Sequence, residues 1–226
     1  MRISIVIPTY EYNGLAKSLL NTLLKSIEKQ TYKNYEIIVS DHSKNDVIKE
    51  YLMDWQHLPI FYYKNELGIG NSSVNMNHGI KLSKVEYIKI MHMDDWFCND
   101  NTLFLIDQSI NEEKEKSWGG VGFNHFYEER NSIERFISPH INENLKTLLG
   151  CPSVSFFKND ENFFDEDLII INDSDMHIRL GKKYGDPILI NEYCVTVRMS
   201  ENQVSNTIGY SKHIEEINYY NKKHFS

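Results

Sequence analysis

Positive charge is scarce in this chain. Lys and Arg number 24 against 32 Asp and Glu, a formal net charge of −8 over 226 residues. A general nucleic-acid binder needs a basic face to offset phosphate charge, so no nucleic acid is expected as a partner. Long apolar runs are missing too. The best, Leu168 to Ile171, falls far short of the roughly 18 residues of a membrane span. Arg2 is followed by a short apolar run that stops at Pro8, which is not the pattern of a signal peptide. The expected location is therefore cytoplasmic, at most against the inner face of a membrane. Cysteine is sparse and scattered: Cys98, Cys151 and Cys194 have no CxxC spacing and read as reduced thiols, mostly core fillers, not as a zinc site. With 11 Gly and 5 Pro, collagen-like and low-complexity classes are excluded. Walker A, G-x-S-x-G and HExxH patterns are all absent. What is present is 41% hydrophobic and 12% aromatic residues, enough to bury a real core in one domain.

The first half alternates strand and helix signals. Ile3–Ile7 is a β-branched run. From Asn13 to Gln30, apolar residues at Leu15, Leu19, Leu20, Leu23, Leu24 and Ile27 make one helical face, with Asn13 as cap. Glu36–Ser40, Ile60–Tyr63 and Tyr87–Met91 read as further strands, with helices over Asp46–Trp55 and Ser72–Ser83. Strands apolar on both faces, alternating with helices, imply a parallel sheet covered on two sides. The second half is less regular. It suggests a helix over Asp100–Lys116, antiparallel strands at Val121–Tyr127 and Ile133–Ser138, a helix over Ser174–Tyr184, a long strand Ile188–Met199 and a terminal helix Ser211–Phe225. The expected class is α/β: a single Rossmann-type domain over residues 1–226, mostly parallel in its central sheet, helices on both faces.

In an open parallel sheet, ligands bind at the carboxyl ends of the strands. That rule nominates Pro8-Thr9-Tyr10, Asp41-His42-Ser43 and His92-Met93-Asp94-Asp95. Adjacent carboxylates at a strand end suit Mg²⁺ or Mn²⁺ on a diphosphate; they equally suit capping of a helix near Asn99. Asn172-Asp173-Ser174-Asp175 offers a general base, a second metal ligand or a helix cap. Gly68-Ile69-Gly70 lacks the third glycine of a dinucleotide fingerprint and reads as a tight loop before a helix. The acidic run Asp160–Asp167 reads as a solvated loop with Phe163 and Phe164 tucked under it.

Taken in order, these segments resemble the family-2 glycosyltransferases of GT-A fold, common in bacterial surface-glycan synthesis. Ser4–Tyr10 (SIVIPTY) is similar to the family's opening strand. Gln30–Asp41 (QTYKNYEIIVSD) is similar to its second strand. Asn65–Ile80 resembles the loop and helix that follow. Tyr87–Asp95 (YIKIMHMDD) resembles the strand ending in the DxD-type motif, Asn172–Leu180 (NDSDMHIRL) the "EDxDLxxRL" segment, and Val197–Ser205 the closing segment of the catalytic domain.

The resemblance implies inverting transfer from a nucleotide-sugar donor, a UDP-sugar, to a glycan or lipid-linked acceptor hydroxyl, with Mn²⁺ or Mg²⁺ as cofactor. Pro8, Thr9 and Tyr10 would line the nucleobase site, Tyr10 stacking on the ring, and Asp41 would accept a hydrogen bond from the base. Asp94 would hold the ion on the diphosphate, with Asp95 and His92 beside it. Asp173 would be the general base, with Asp175 the alternative. Residues 1–98 would form the nucleotide-sugar half, 99–206 the acceptor half and 207–226 a terminal helix, which either packs on the domain or touches an anionic membrane. Three positions depart from the family: His92 for the leading Asp of DxD, Asn172 for the Glu before the base, and Glu11 for Asn. Two rival readings are a sugar-1-phosphate nucleotidyltransferase, disfavoured by Thr9–Asn13 in place of a Gly-rich loop, and a catalytically weakened nucleotide-binding scaffold protein.

Overall fold

The apolar runs of the first half become parallel strands. The computed structural model describes residues 1–141, 149–201, 203, 206 and 208–225. β1 (Ile3–Thr9), β2 (Tyr35–Asp41), β3 (Ile60–Lys64) and β4 (Tyr87–Ile90) pair in the order β3-β2-β1-β4, all parallel. Every residue of β2 and β4 is buried, which is why their sequences are not alternating. The crossovers carry α1 (Ala16–Glu28), α2 (Val47–Leu52) and α3 (Ser72–Leu82). α1 buries Leu20, Leu23, Leu24 and Ile27, each burial worth about 1.5–3 kcal/mol.

The start of α1 differs from expectation. Asn13 does not cap it: Asn13 and Gly14 both take positive φ, 52° and 79°, and form a turn ahead of the helix. The Glu11 carboxylate accepts the Gly14 N–H at 2.6 Å, while the Glu11 N–H donates to Ser43 Oγ at 2.7 Å. Glu11 thus ties the β1 exit to the β2 exit. α3 does begin after the glycine loop as expected, with the Asn71 side chain accepting from the Ser73 and Val74 N–H groups at 2.9 and 3.2 Å.

The second half adds β5 (Trp96–Phe97), α4 (Thr102–Glu112), β6 (Trp118–Tyr127), β7 (Ser132–Ile137), β8 (Ser155–Lys158), α5 (Asn172–Tyr184), β9 (Ile188–Met199) and α6 (Tyr210–Phe225). The sheet runs β3-β2-β1-β4-β8-β6-β9-β5, with β7 also on β6. Its first four strands and the β6/β9 pair are parallel; β8 against β4 and β6, β7 against β6 and β5 against β9 are antiparallel. β5 and β8 carry no expectation from sequence. β6 starts earlier than expected, because Gly119 and Gly120 hide its first turn of pleat. Gly119 is needed there: a Cβ would run into the Ile188 carbonyl oxygen and the Phe156 ring.

Cys194 is a core residue, but Cys151 is half-buried and Cys98 exposed, so the thiols are not mostly core fillers. No described helix is long and apolar enough to cross a membrane. Asn202, Val204 and Ser205 of the closing segment, and residues 142–148 of the expected acceptor half, lie outside the described residues.

Candidate functional site

Because β2, β1 and β4 are adjacent and parallel, their carboxyl ends bring residues 8–10, 41–43 and 92–95 to one rim of the sheet. The three nominated segments are therefore neighbours. Within them the side chains differ in availability. Tyr10 is exposed and Pro8 half-buried, whereas Thr9 is buried, its hydroxyl directed to the Ser40 carbonyl at 3.2 Å. Asp41 is sealed. Its Oδ1 accepts from the Ser43 N–H at 2.8 Å and from Ser43 Oγ at 2.5 Å; its Oδ2 accepts from Tyr62 Oη at 2.8 Å and lies 3.6 Å from Lys64 Nζ.

The third segment gathers ligand atoms. One ligand atom each from His92, Asp94 and Asp95 lie within 4.8 Å of one another. The His92 ring is fixed from behind: its backbone N–H donates to Ser153 Oγ at 2.9 Å, and its Nε2 is buried with no hydrogen-bond partner. Burial lowers the His92 imidazole, outweighing the pull of Asp94, so the ring is neutral and its lone pair is free to ligate. Burial, and then the adjacent Asp94 charge, push Asp95 up to about 8. An orphaned imidazole nitrogen beside two crowded carboxylates is a donor set that fits a divalent cation, and the two acids do not cap α4, which starts beyond Asn99 and Asn101.

One residue of β9 and one of β4 itself support this cluster. The Arg198 backbone N–H donates to Asp95 Oδ1 at 3.0 Å, and its guanidinium reaches the Asp94 carbonyl at 3.2 Å and Glu128 at 3.1 Å. That guanidinium lies over the Trp96 and Phe126 rings at 5.3 and 5.4 Å. Lys89, fully buried in β4, donates to the Ser153 carbonyl and stands beneath the turn that carries Ser153. Burial pulls Lys89 down to about 7. A lone lysine in the middle of an apolar strand is a signal the sequence carried and the strand assignment passed over. Arg198 lies in the Val197–Ser205 segment singled out by resemblance, whereas Ser153 had no such signal.

Asp173 comes from the other half, in the first turn of α5. Its Oδ1 accepts from the Ser174 N–H at 2.6 Å and from Ser174 Oγ at 3.3 Å. Burial pushes its carboxyl up to about 6. The Cys151 thiol links the two acidic groups: burial first, then the nearby Asp95 and Asp173 charges, raise it well above its usual range. Asp175, two residues on, is fully buried and held by Arg179 Nε at 2.8 Å, Lys223 Nζ at 2.7 Å and His224 Nε2 at 2.8 Å. Burial works to raise Asp175, and its bonds to Lys223, Arg179 and His224 outweigh it, so the carboxyl sits below its ordinary value. Asn172 is buried and donates to Ser73 Oγ at 2.9 Å. Of the acidic run, Asp165 is not solvated: it takes Tyr219 at 2.9 Å and Lys223 at 2.5 Å from α6.

Known proteins resemble this chain in sequence and in fold. A putative colanic acid biosynthesis glycosyl transferase, WcaA of Escherichia coli, is 24% identical over 97% of this chain and 80% of its own length. An uncharacterized glycosyltransferase of Rickettsia typhi is 25% identical over 91% of this chain and 66% of its own length. The poly(ribitol-phosphate) β-N-acetylglucosaminyltransferase TarP of Staphylococcus aureus is 36% identical over 42% of this chain, which spans 28% of that relative. The chain thus spans less than two thirds of the length of these last two relatives. Among solved structures, S. aureus TarS residues 1–349 in complex with UDP-GlcNAc superposes with a TM-score of 0.73 at 16% identity, over 92% of this chain and 62% of that one. The Pyrobaculum calidifontis mannosyltransferase in complex with GDP-Man and Mn²⁺ superposes at 0.66 and 14%, over 98% and 63%. Residues 4–157 match the profile of glycosyl transferase family 2, and with the curled α/β sheet described above the chain belongs to that family and has the GT-A type of fold.

Proposed function

We propose that the chain transfers a sugar from a UDP-sugar to the hydroxyl of a glycan or lipid-linked acceptor, inverting the anomeric carbon. The observation that carries this reading is the His92, Asp94 and Asp95 cluster at the rim of the parallel strands, with Asp173 approaching from the other half past Cys151. In this reading residues 1–98 bind the donor and 99–206 the acceptor. Pro8 and Tyr10 line the nucleobase site, with Tyr10 free to stack. Thr9 and Asp41 shape its floor, and Asp41 reaches the base when Tyr62 yields its place.

Asp94, Asp95 and His92 would hold Mn²⁺ or Mg²⁺, which would supply positive charge against the leaving diphosphate. A nitrogen ligand favours Mn²⁺ over Mg²⁺. Asp173 takes the proton of the attacking hydroxyl, a poor nucleophile without a base. Its raised affinity for a proton suits that task, and its carboxylate accepts from the N–H and hydroxyl of its neighbour Ser174. Asp175, engaged by Arg179, Lys223 and His224, serves structure. Inversion needs the base on the face opposite the leaving group, which agrees with its coming from a different segment than the cation ligands. The work site is cytoplasmic. Any contact with the inner membrane face runs through the outward side of α6, where Ile214 and Ile217 are exposed, and co-sedimentation with anionic vesicles measures it.

The test is nucleotide release from a panel of UDP-sugars with Mn²⁺ and acceptor glycans. Expected are release that needs both cation and acceptor, and its loss in folded Asp94→Ala and Asp173→Ala variants. Full activity in either variant overturns the assignment. The substitutions of His92 and Asn172 for acidic residues favour a second reading, a nucleotide-binding scaffold protein of a glycan-assembly complex. UDP binding without turnover on any acceptor supports that one instead.

A further inference from the structure

α5 begins without a cap of its own. Ile171 occupies the cap position and has no side chain to offer, yet the first turns of a helix leave several backbone N–H groups unpaired. Just ahead of that helix, α6 supplies an acceptor for the incoming main chain. The Glu216 carboxylate, buried at 2% exposure, accepts the N–H groups of Ile169 at 3.0 Å, Ile170 at 2.8 Å and Ile171 at 3.4 Å. A carboxylate there also faces the positive end of the α5 dipole. The same helix ties down both flanks, through Lys223 and Tyr219 on Asp165 and through Lys223 and His224 on Asp175. From the other side α3 holds the segment: Ser73 Oγ donates to the Leu168 carbonyl at 2.6 Å, and Asn71 Nδ2 to that of Glu166 at 2.7 Å. In the middle of this doubly anchored stretch stands Asp173.

We propose that Glu216 is a positioning residue for the transfer reaction, fixing the 169–171 backbone so that Asp173 meets the acceptor hydroxyl. The inference rests on the reading of Asp173 as base. Burying a carboxylate is costly unless it is fully bonded, and here its bonding is spent on main-chain N–H groups just ahead of that one side chain. Proton transfer in a bound complex tolerates little displacement: an error of about 1 Å can cost on the order of 100-fold in rate. The neighbouring Tyr220 of α6 also senses the Asp173 charge, which places the helix within electrostatic reach of the base.

A double-mutant cycle on the full chain decides it, using Glu216→Gln, Asp173→Asn and the pair, assayed with a UDP-sugar, Mn²⁺ and acceptor. Glu216→Gln keeps the size of the side chain and replaces one accepting oxygen with an NH₂ group that clashes with the N–H groups it faces. Expected are a fall in kcat of roughly 10–100-fold, a donor KM within about twofold of the parent, unchanged UDP affinity, and a double variant no slower than Asp173→Asn alone. Multiplicative losses in the double variant overturn the proposal, as does a Glu216→Gln variant with unchanged kcat or with donor KM raised in step. Full activity in Asp173→Asn overturns the base reading itself, a separate result. If Glu216→Gln does not fold, Lys223→Met breaks the second tie and enters the same cycle under the same criteria.

Discussion

At the scale of single residues, the candidate site is a set of groups moved off their ordinary protonation behaviour by burial. Asp173 is the simplest case. A base must be ionised to accept a proton, so with its carboxyl near 6 the transfer rate should fall as pH drops through about 6 and hold a plateau above. A kcat/KM profile from pH 5 to 8 checks this, and the limb should vanish in whatever activity Asp173→Asn retains. His177 works in the opposite sense, against stability. It is buried, stacked on Trp118 at 5.9 Å, and its Nε2 has no partner. Burial pulls it down to about 4, so the native state keeps it neutral while an unfolded chain protonates near 6.5. The stability it secures is whole above pH 6.5 and is lost progressively as pH falls toward 4, by as much as about 3 kcal/mol. Urea midpoints at pH 7 and pH 4 should differ accordingly, and His177→Phe, which keeps a stacked ring, should flatten the difference.

At the scale of elements, what is legible in the sequence depends on how local its cause is. β1, β2 and β4 are short β-branched runs buried on both faces, and β9 is a long one; all of these announce themselves. β5 and β8 are two and four residues long and exist through partners far along the chain, so no local pattern marks them. The site divides in the same way. His92, Asp94 and Asp95 stand at a strand end, where a rule of topology finds them. Ser153, Arg198 and Glu216 act through backbone groups tens of residues away. Asn13 and Asp173 are both plausible caps in the sequence, yet Asn13 sits in a turn ahead of α1 and Asp173 lies one residue inside α5, where Ile171 holds the cap position. Packing between elements makes its own prediction. α3 lies on β1 through Gly79, where a Cβ would overlap Val6 Cγ1. Gly79→Ala should destabilise the domain by about 1–3 kcal/mol in urea titration, and adding Val6→Ala should restore part of the loss.

At the scale of the whole molecule, donor and cation are expected to bind the native state alone. At 100 times its dissociation constant, a ligand adds about 2.7 kcal/mol. For a domain of this size that is a rise of roughly 5–10 °C in melting temperature. UDP with Mn²⁺ should produce such a shift, EDTA should remove most of it, and Asp94→Ala should not show it. The measurement needs no acceptor, so it separates donor binding from transfer. β9 bears on a different property of the molecule, the order in which it comes into being. The four parallel strands β1 to β4 are made by residue 90, whereas β9 must be inserted between β6 and β5 before Arg198 can reach Asp95. Such distant pairings form slowly. Pulse-labelled hydrogen exchange during refolding should protect the amides of Ile5 and Val39 before those of Val195 and Val197. On the ribosome, β1 to β4 would then be assembled while the His92, Asp94 and Asp95 cluster still lacked its tie to Arg198, and the candidate site would be completed only after β9 and α6 had emerged.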